Sequence, residues 1–208
     1  AGWNYRDVLP FFRNLENYTG GDDQYRGQLG ELGVSNLRND DPSCRAWVNA
    51  AQEYGLPFNR DFNAETTYGA GAYQLSTKGR WRSSSATAFL KPAQSRPNLT
   101  VLSGAHVTRV LFDGSQAEAV EWIRNGKTKT AAVEKEIILA AGALQSPQIL
   151  QLSGIGPAEL LAEHGITLVH DAPEVGRSLQ DHYQMRVIVR LTHKNSLNDG
   201  ISNPFKLA

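Results

Sequence analysis

Apolar and small residues recur at helical spacing in two segments of the first hundred residues. In 5–17 and 41–54 they lie three or four residues apart, which predicts two amphipathic helices. The second has a typical helix start, because Asp41 can cap the helix and Pro42 suits its first turn. The other elements predicted here are a surface loop over 20–33, a strand over 34–37 and a helix over 84–90 that Pro92 ends.

The next part of the chain alternates apolar and polar residues in the manner of β-strands. Turn sequences separate the segments, and one of them, Asn125-Gly126, is the strongest short signal for a hairpin. We therefore predict a small antiparallel meander whose last strand ends in the apolar run 137–140. The strand candidates are 99–102, 106–112, 117–124 and 127–140, with a further one at 185–191.

The apolar run 137–140 leads directly into Ala141, Gly142 and Ala143, followed by Ser146 and Pro147. Serine can cap a helix and proline suits its first position, so the segment predicts a strand, a glycine turn and a helix start. Small residues at such a turn let a nucleotide approach the backbone, and free amides at a helix start suit an anion. The same sequence also fits a purely structural turn, and both interpretations stay open at this point.

Composition excludes several classes of function. The 21 basic and 21 acidic residues balance, so we expect no nucleic-acid partner. The single cysteine, Cys44, excludes an internal disulfide and a cysteine-based metal cage, and we expect a buried, inert thiol, no metal site and a cytoplasmic location. No run approaches the roughly 18 apolar residues of a membrane span, and we expect none.

Residues 142–156, GALQSPQILQLSGIG, closely resemble the second signature motif of the glucose-methanol-choline (GMC) oxidoreductases. Residues 175–182 resemble the Val-Gly-x-Asn-Leu-x-Asp-His segment of that family, with Ser178 in place of the usual asparagine. The resemblance covers nearly the whole chain. In detail, the chain is similar to the choline and alkanol dehydrogenase branch of the family. Its other matching segments are 3–12, 61–63, 69–74, 82–84, 96–101 and 119–122.

The resemblance implies an α+β fold made of parts of two domains. We expect 99–180 to form part of a Rossmann-like FAD-binding domain that includes the β-meander. We expect 1–98, with the segment that follows the family's flavin lid, and 181–208 to form part of a substrate-binding domain. Because such a fold would be incomplete, we also expect exposed apolar surface and self-association of the isolated chain.

The resemblance further implies an FAD-dependent enzyme that oxidises the CH–OH group of choline or a related small alcohol by hydride transfer to flavin. The Gly-x-Gly-x-x-Gly fingerprint that binds the dinucleotide in this family is absent from these 208 residues. The family's catalytic histidine is expected beyond residue 208, so we assign no catalytic residue and expect the isolated chain to be inactive. The alternatives are another GMC activity, an oxidase or a hydroxynitrile lyase, and a flavin-less binding scaffold.

Candidate site residues follow from the matching motifs, each with a structural alternative. By resemblance, the backbone of Val107 faces the FAD adenine, although the residue also fits as an ordinary strand valine. The other cofactor-side candidates are Ala141, Gly142 and Ala143. The substrate-side candidates are Arg82 and Ser83, in a stretch that equally fits a basic surface loop, and Asp181 and His182, where we favour structural hydrogen bonding over a role beside the flavin.

Overall fold

The computed structural model describes residues 2–38 and 41–190. The chain forms two compact units. Among the described residues, unit 1 comprises those up to Thr100 together with 187–190, and unit 2 comprises Val101–Arg186.

Unit 1 contains short helices and two small pairs of strands. Strands β1 and β2 pair in parallel, whereas β3 and β4 form an antiparallel hairpin. In chain order its elements are α1 (Tyr5–Leu15), β1 (Glu16–Asn17), β2 (Leu32–Gly33), α2 (Pro42–Glu53), β3 (Thr77–Lys78), β4 (Trp81–Arg82) and a π-helical turn (Ala86–Leu90) that continues into α3 (Lys91–Ala93).

The helix starts of unit 1 follow the capping rules. Asn4 caps α1 by accepting a hydrogen bond from the Asp7 backbone N–H, and Asp41 does the same for α2 through the Ser43 N–H. Both predicted helices are therefore confirmed. The predicted end at Pro92 is wrong, because this proline lies in the first turn of α3, where a missing N–H breaks no helical bond.

The centre of unit 1 is a buried arginine. Arg26 is only 3% exposed, and its guanidinium donates to Glu16 Oε1 at 2.7 Å and to Asp61 Oδ1 at 3.0 Å. The same guanidinium lies 4.5 Å from the centre of the Tyr18 ring, a cation–π arrangement. The cluster thus joins the end of α1 to the loop before β2 and to the segment around Asp61.

The loop that carries Arg26 runs very close to α1. A Cβ atom at Gly27 would lie 1.7 Å from the carbonyl oxygen of Arg13, so only glycine fits there. The Gly27 N–H donates to Glu16 Oε2 at 3.2 Å. Glu16 therefore binds the loop through two successive residues.

Unit 2 is an antiparallel meander covered by a helix, followed by a small α/β segment. The order of the three long strands is β5-β6-β7. Asn125 and Gly126 take φ angles of 52° and 71° in the β6–β7 turn, as the Asn-Gly signal predicts. The elements are β5 (His106–Asp113), β6 (Gln116–Arg124), β7 (Lys127–Ala132), α4 (Gly142–Leu152), β8 (Ile155–Gly156), α5 (Ala158–Glu163) and β9 (His170–Asp171), with β8 and β9 pairing in parallel.

A buried serine fixes α4 against the meander. Ser153, 7% exposed, follows the last residue of α4, and its Oγ accepts a hydrogen bond of 2.8 Å from the Val110 N–H of β5. The hydroxyl itself donates to the carbonyl of Ile149, one turn back in the helix. Val110 and Ile149 are both buried, so this link lies in the core of unit 2.

Several predicted strands are absent from the described residues. No strand forms over 99–102, over 137–140 or over 185–190, and residue 191 of the last prediction lies outside the described part of the chain. In place of the strand over 34–37, β2 forms two residues earlier, and Ser35 makes a single bridge to Leu75. A strand needs a neighbour for its N–H and C=O groups, and none of the described segments pairs with these runs. Ile138, in the run before α4, is accordingly 78% exposed.

The Arg26 cluster predicts a large and local stability effect. Replacing Arg26 with methionine leaves Glu16 and Asp61 without their counter-charge, so we expect the free energy of unfolding to fall by about 3 kcal/mol. Urea denaturation of the 208-residue chain measures this change. The control is Arg6→Met on the exposed side of α1, where we expect a change within about 0.5 kcal/mol. Equal effects of the two substitutions would contradict a central role for the cluster.

Candidate functional site

Strand β5 contains a bulge next to Val107. Val107 lies opposite Trp122 and Arg109 lies opposite Glu121, so Thr108 is an extra residue on β5. Strand β6 is regular through this region, and residues directly opposite one another share a face of the sheet. The bulge therefore places Val107 on the same face as the buried Val110.

The bulge is held by one carboxylate. The Thr108 hydroxyl donates to Glu121 Oε1 at 2.7 Å, and the Arg109 guanidinium donates to the same oxygen at 3.1 Å. The hydrogen bond from Thr108, supported by the one from Arg109, lowers the pKa of Glu121 below its usual value. The ionised form of Glu121 thus stabilises the local backbone geometry beside Val107.

Trp122, opposite Val107, carries a buried donor. Its Nε1 atom is buried and has no hydrogen-bond partner among the residues that the structure describes. Buried polar atoms are nearly always paired, by protein, water or ligand. The indole nitrogen is therefore enclosed within unit 2 without an acceptor among the described residues.

The turn before α4 is open. Ala141, Gly142 and Ala143 are exposed, Gly142 has a φ of 88°, and a Cβ atom there would meet nothing within 4 Å. The predicted helix start at Ser146 and Pro147 is wrong, because α4 begins four residues earlier, at Gly142. The Ser146 hydroxyl instead accepts a hydrogen bond of 3.0 Å from the Ala141 N–H and so closes the turn.

Pro147 lies inside α4 and has no N–H to offer to the carbonyl four residues before it. That carbonyl belongs to Ala143, so both the N–H groups of the first turn and this C=O lack a helical partner. The start of α4 thus presents donors and an acceptor at an exposed glycine turn. This arrangement fits the approach of a dinucleotide.

Asp181 and His182 lie in the last part of unit 2, and both are exposed. The His182 backbone N–H donates to Asp181 Oδ1 at 2.7 Å. The turn before this pair is attached to α4, because Gln151 Nε2 donates to the Val175 carbonyl at 3.0 Å. Ser178 takes a left-handed φ of 54°, a conformation that asparagine, the usual family residue, adopts more readily.

Arg82 and Ser83 belong to unit 1. Arg82 is exposed on β4, whereas Ser83 is 6% exposed and accepts a hydrogen bond of 2.9 Å from the Gly33 N–H. The stretch is therefore a β-hairpin joined to β2 by Ser83, and the hydroxyl of that serine has a structural partner. Arg82 presents its charge to solvent.

An apolar groove of about 1020 Å³ opens in unit 1 beside α2. The prediction of a buried Cys44 is wrong, because this thiol is exposed at the groove. The apolar face of α2 finds no full cover among the described residues, and none of its residues is buried. The principal apolar residues along the groove are Leu37, Trp47, Val48, Leu75, Val187 and Val189.

The cofactor-side candidates and the Asp181-His182 pair all lie in unit 2, whereas Arg82 and Ser83 lie in unit 1. Trp122 and Ser153 both lie in segments that resemble the family, whereas no signal in the sequence pointed to Arg26, whose role depends on distant partners. Within the described residues there is no group of three or more metal-ligating side chains. In the same part of the chain, no helix combines the length and hydrophobicity that crossing a membrane requires.

The family model described as GMC oxidoreductase matches residues 1–184. This chain belongs to the GMC oxidoreductase family. The chain is 39% identical to oxygen-dependent choline dehydrogenase of Brucella anthropi over 186 residues, which are 89% of this chain and 34% of that protein. It is 41% identical to alcohol dehydrogenase [acceptor] of Pseudomonas putida over 189 residues, again 89% of this chain and 34% of that protein.

Solved structures of the family also resemble the chain. Pyridoxine 4-oxidase from Mesorbium loti matches with a TM-score of 0.81 at 33% identity, covering 86% of this chain and 36% of that one. An FAD-dependent oxidoreductase from Chaetomium thermophilum matches with a TM-score of 0.78 at 35% identity, covering 86% and 34%. The predicted family and α+β fold class are confirmed, and the chain spans about a third of the length of these relatives.

The Thr108 hydrogen bond yields a prediction about acidity. Thr108→Val removes the main cause of the lowered pKa, so the pKa of Glu121 rises toward its usual value. A group whose pKa is lowered in the folded state adds stability above its unfolded pKa and loses it as the pH falls through its folded pKa. The contribution is therefore smaller in the variant, and its loss on acidification is complete at a higher pH than in the wild type.

Carboxyl ¹³C NMR titration of the 208-residue chain measures the shift directly. Thr128→Val, on the exposed strand β7, is the control and leaves the pKa of Glu121 unchanged. An unaltered Glu121 titration in Thr108→Val would contradict the assigned cause.

Proposed function

We propose that this chain is a section of a longer FAD-dependent oxidoreductase that oxidises the CH–OH group of choline or a related small alcohol. The observation that carries the proposal is the identity of about 40%, over nine-tenths of the chain, with proteins named as choline and alcohol dehydrogenases. The exposed glycine turn before α4 supports a nucleotide site in unit 2.

We assign unit 2 to the FAD-binding domain and unit 1 to the substrate-binding domain. The units divide after Thr100 and after Arg186, within a few residues of the boundaries 98/99 and 180/181 expected from the sequence. The FAD-domain part then carries the meander and α4. The substrate-domain part carries the Arg26 cluster and the β3–β4 hairpin.

The residues of unit 2 offer FAD several kinds of contact. The backbone of Val107 serves the adenine, and the turn of Ala141, Gly142 and Ala143 admits the dinucleotide to the start of α4. When bound, FAD supplies the acceptor for the hydride that leaves the alcohol carbon. The side chains of unit 2 bind and orient, and none of them takes the hydroxyl proton in our proposal.

Alcohol oxidation also needs a base for the hydroxyl proton. We propose that this base is contributed by another part of the longer protein, and that the 208 residues alone are inactive and self-associate through exposed apolar surface. Asp181 and His182 act structurally in this proposal, since the Asp181 carboxylate accepts a hydrogen bond from the His182 backbone N–H. Arg82 is then the candidate that faces the substrate side.

A second candidate is an oxidase acting on another alcohol. The similarity to pyridoxine 4-oxidase, at a TM-score of 0.81 and 33% identity, favours it specifically. Both candidates share the family fold and the hydride chemistry. They differ in the alcohol accepted. A hydroxynitrile lyase or a flavin-less scaffold would show neither reaction.

The longer protein containing this chain tests the proposal. We expect about one FAD per polypeptide by absorbance, and turnover with choline that exceeds turnover with pyridoxine, as measured with an artificial dye and with oxygen. The 208-residue chain, as the control, is expected to be colourless and inactive. Flavin-free longer protein would overturn the proposal, and a preference for pyridoxine with oxygen would favour the oxidase.

A further inference from the structure

The turn between β6 and β7 contains the one Asn-Gly pair of the 208-residue sequence, Asn125-Gly126. Both residues are exposed at the tip of the hairpin, and a Cβ atom at Gly126 would meet nothing within 4 Å. Among residues 2–38 and 41–190, neither the Asn125 side-chain amide nor the Gly126 N–H has a hydrogen-bond partner. Both groups are therefore open to water and are positioned by the backbone alone.

An asparagine that precedes glycine is chemically labile. Asparagine is a thermolabile residue in general, and glycine has no side chain to shield its peptide nitrogen. After losing its proton, that nitrogen attacks Cγ of the asparagine, the bond from Cγ to Nδ2 breaks, and ammonia leaves. The product is a five-membered succinimide ring, which water reopens at either of its two carbonyls. Overall, an amide and water give a carboxylic acid and ammonia, and no oxidant or reductant takes part.

We propose that Asn125 is a site of spontaneous deamidation and that the modification alters the β6–β7 hairpin. Opening of the succinimide at one carbonyl gives aspartate with an ordinary main chain. Opening at the other gives isoaspartate, in which the main chain runs through the former side chain. This inference goes beyond the proposed function and does not rest on it.

The hairpin controls how readily the ring closes. Asn125 and Gly126 have φ angles of 52° and 71° and form a two-residue turn between the paired residues Arg124 and Lys127. The Gly126 nitrogen reaches Cγ only when this tip opens locally, and loop tips open at little cost in free energy. All six residues of β7 are exposed, so no buried side chain opposes the opening. The reaction therefore proceeds in the folded protein.

The two products affect the hairpin differently. Aspartate tolerates the left-handed conformation as asparagine does, so the turn persists and gains a negative charge beside Arg124 and Lys127. Isoaspartate adds one carbon atom to the main chain of a two-residue turn and disrupts the pairing of these two residues. The far end of the hairpin is held separately, because the Val133 N–H donates to the Glu118 carbonyl at 2.7 Å. Isoaspartate thus loosens only the end next to the turn.

The first experiment ages the longer protein at mildly alkaline pH, where the glycine nitrogen loses its proton more readily. Protease digestion and mass spectrometry measure the acid formed at each asparagine, and a protein isoaspartate methyltransferase measures isoaspartate. Asn98 is the internal control, because it is also exposed but precedes the bulkier Leu99. We expect acid to form at Asn125 more than about tenfold faster than at Asn98. Equal rates at the two positions would overturn the assignment of the site.

The second experiment measures amide hydrogen exchange of the same protein by NMR. Asn125→Asp supplies the aspartyl product directly, and we expect it to keep the protection of the Lys127 amide. Aged wild-type protein enriched in isoaspartate is expected to lose protection at Lys127 and to keep it at Val133. Unchanged exchange of Lys127 in the isoaspartyl form would overturn the effect on the hairpin. Neither experiment depends on flavin content or turnover, so either failure leaves the proposed function intact.

Discussion

The hydrogen bonds of Ser153 are the constraint on which the arrangement of unit 2 depends. A hydroxyl in the core satisfies the Val110 N–H of β5 and, at the same time, one carbonyl of the last turn of α4. The helix and the strand are therefore joined at a buried point where water cannot compete. Val107 lies three residues before that point on β5, so the candidate cofactor strand is fixed relative to α4.

The arrangement of unit 1 depends in the same way on the buried charge of Arg26 and its two acidic partners. Arg26 is held between Glu16 and Asp61 and against Tyr18, which joins three segments far apart in sequence. Removing one partner of a buried pair is costly, so these segments are specified together. The β3–β4 hairpin, with the substrate-side candidate Arg82, is attached through Ser83 to β2, whose partner strand β1 contains Glu16.

Local signals in the sequence predicted those elements whose hydrogen bonds join residues close in sequence. The cap at Asp41 and the turn at Asn125-Gly126 are short-range features, and the second helix and the β6–β7 hairpin formed as expected. The run 137–140 has the composition of a buried strand but no neighbour among the described residues, and no strand formed. Composition reports the tendency to be buried, whereas a strand also needs a partner.

The candidate site likewise combines features that local sequence signals predicted with features that they did not. The glycine turn before α4 was recognisable because small residues follow an apolar run, and it is indeed open. The start of α4 was predicted four residues too late. Serine and proline are typical of a helix start, but here Ser146 and Pro147 lie within the first turns of α4. The roles of Ser153 and Arg26 come from partners 10 to 43 residues away, which periodicity does not reveal.

The claim that the turn before α4 faces the dinucleotide is tested most directly by comparing two glycines in the longer protein. Gly142 and Gly165 both have left-handed φ angles, 88° and 65°, and both have open space where a Cβ atom would lie. Valine at either position strains the backbone by about 1–3 kcal/mol, so the two variants lose similar stability.

The measurement is Kd for FAD. We predict that it rises more than about tenfold in Gly142→Val relative to Gly165→Val, since only the first side chain obstructs the cofactor. Equal FAD affinity in the two variants would contradict the account and leave the turn with a structural role.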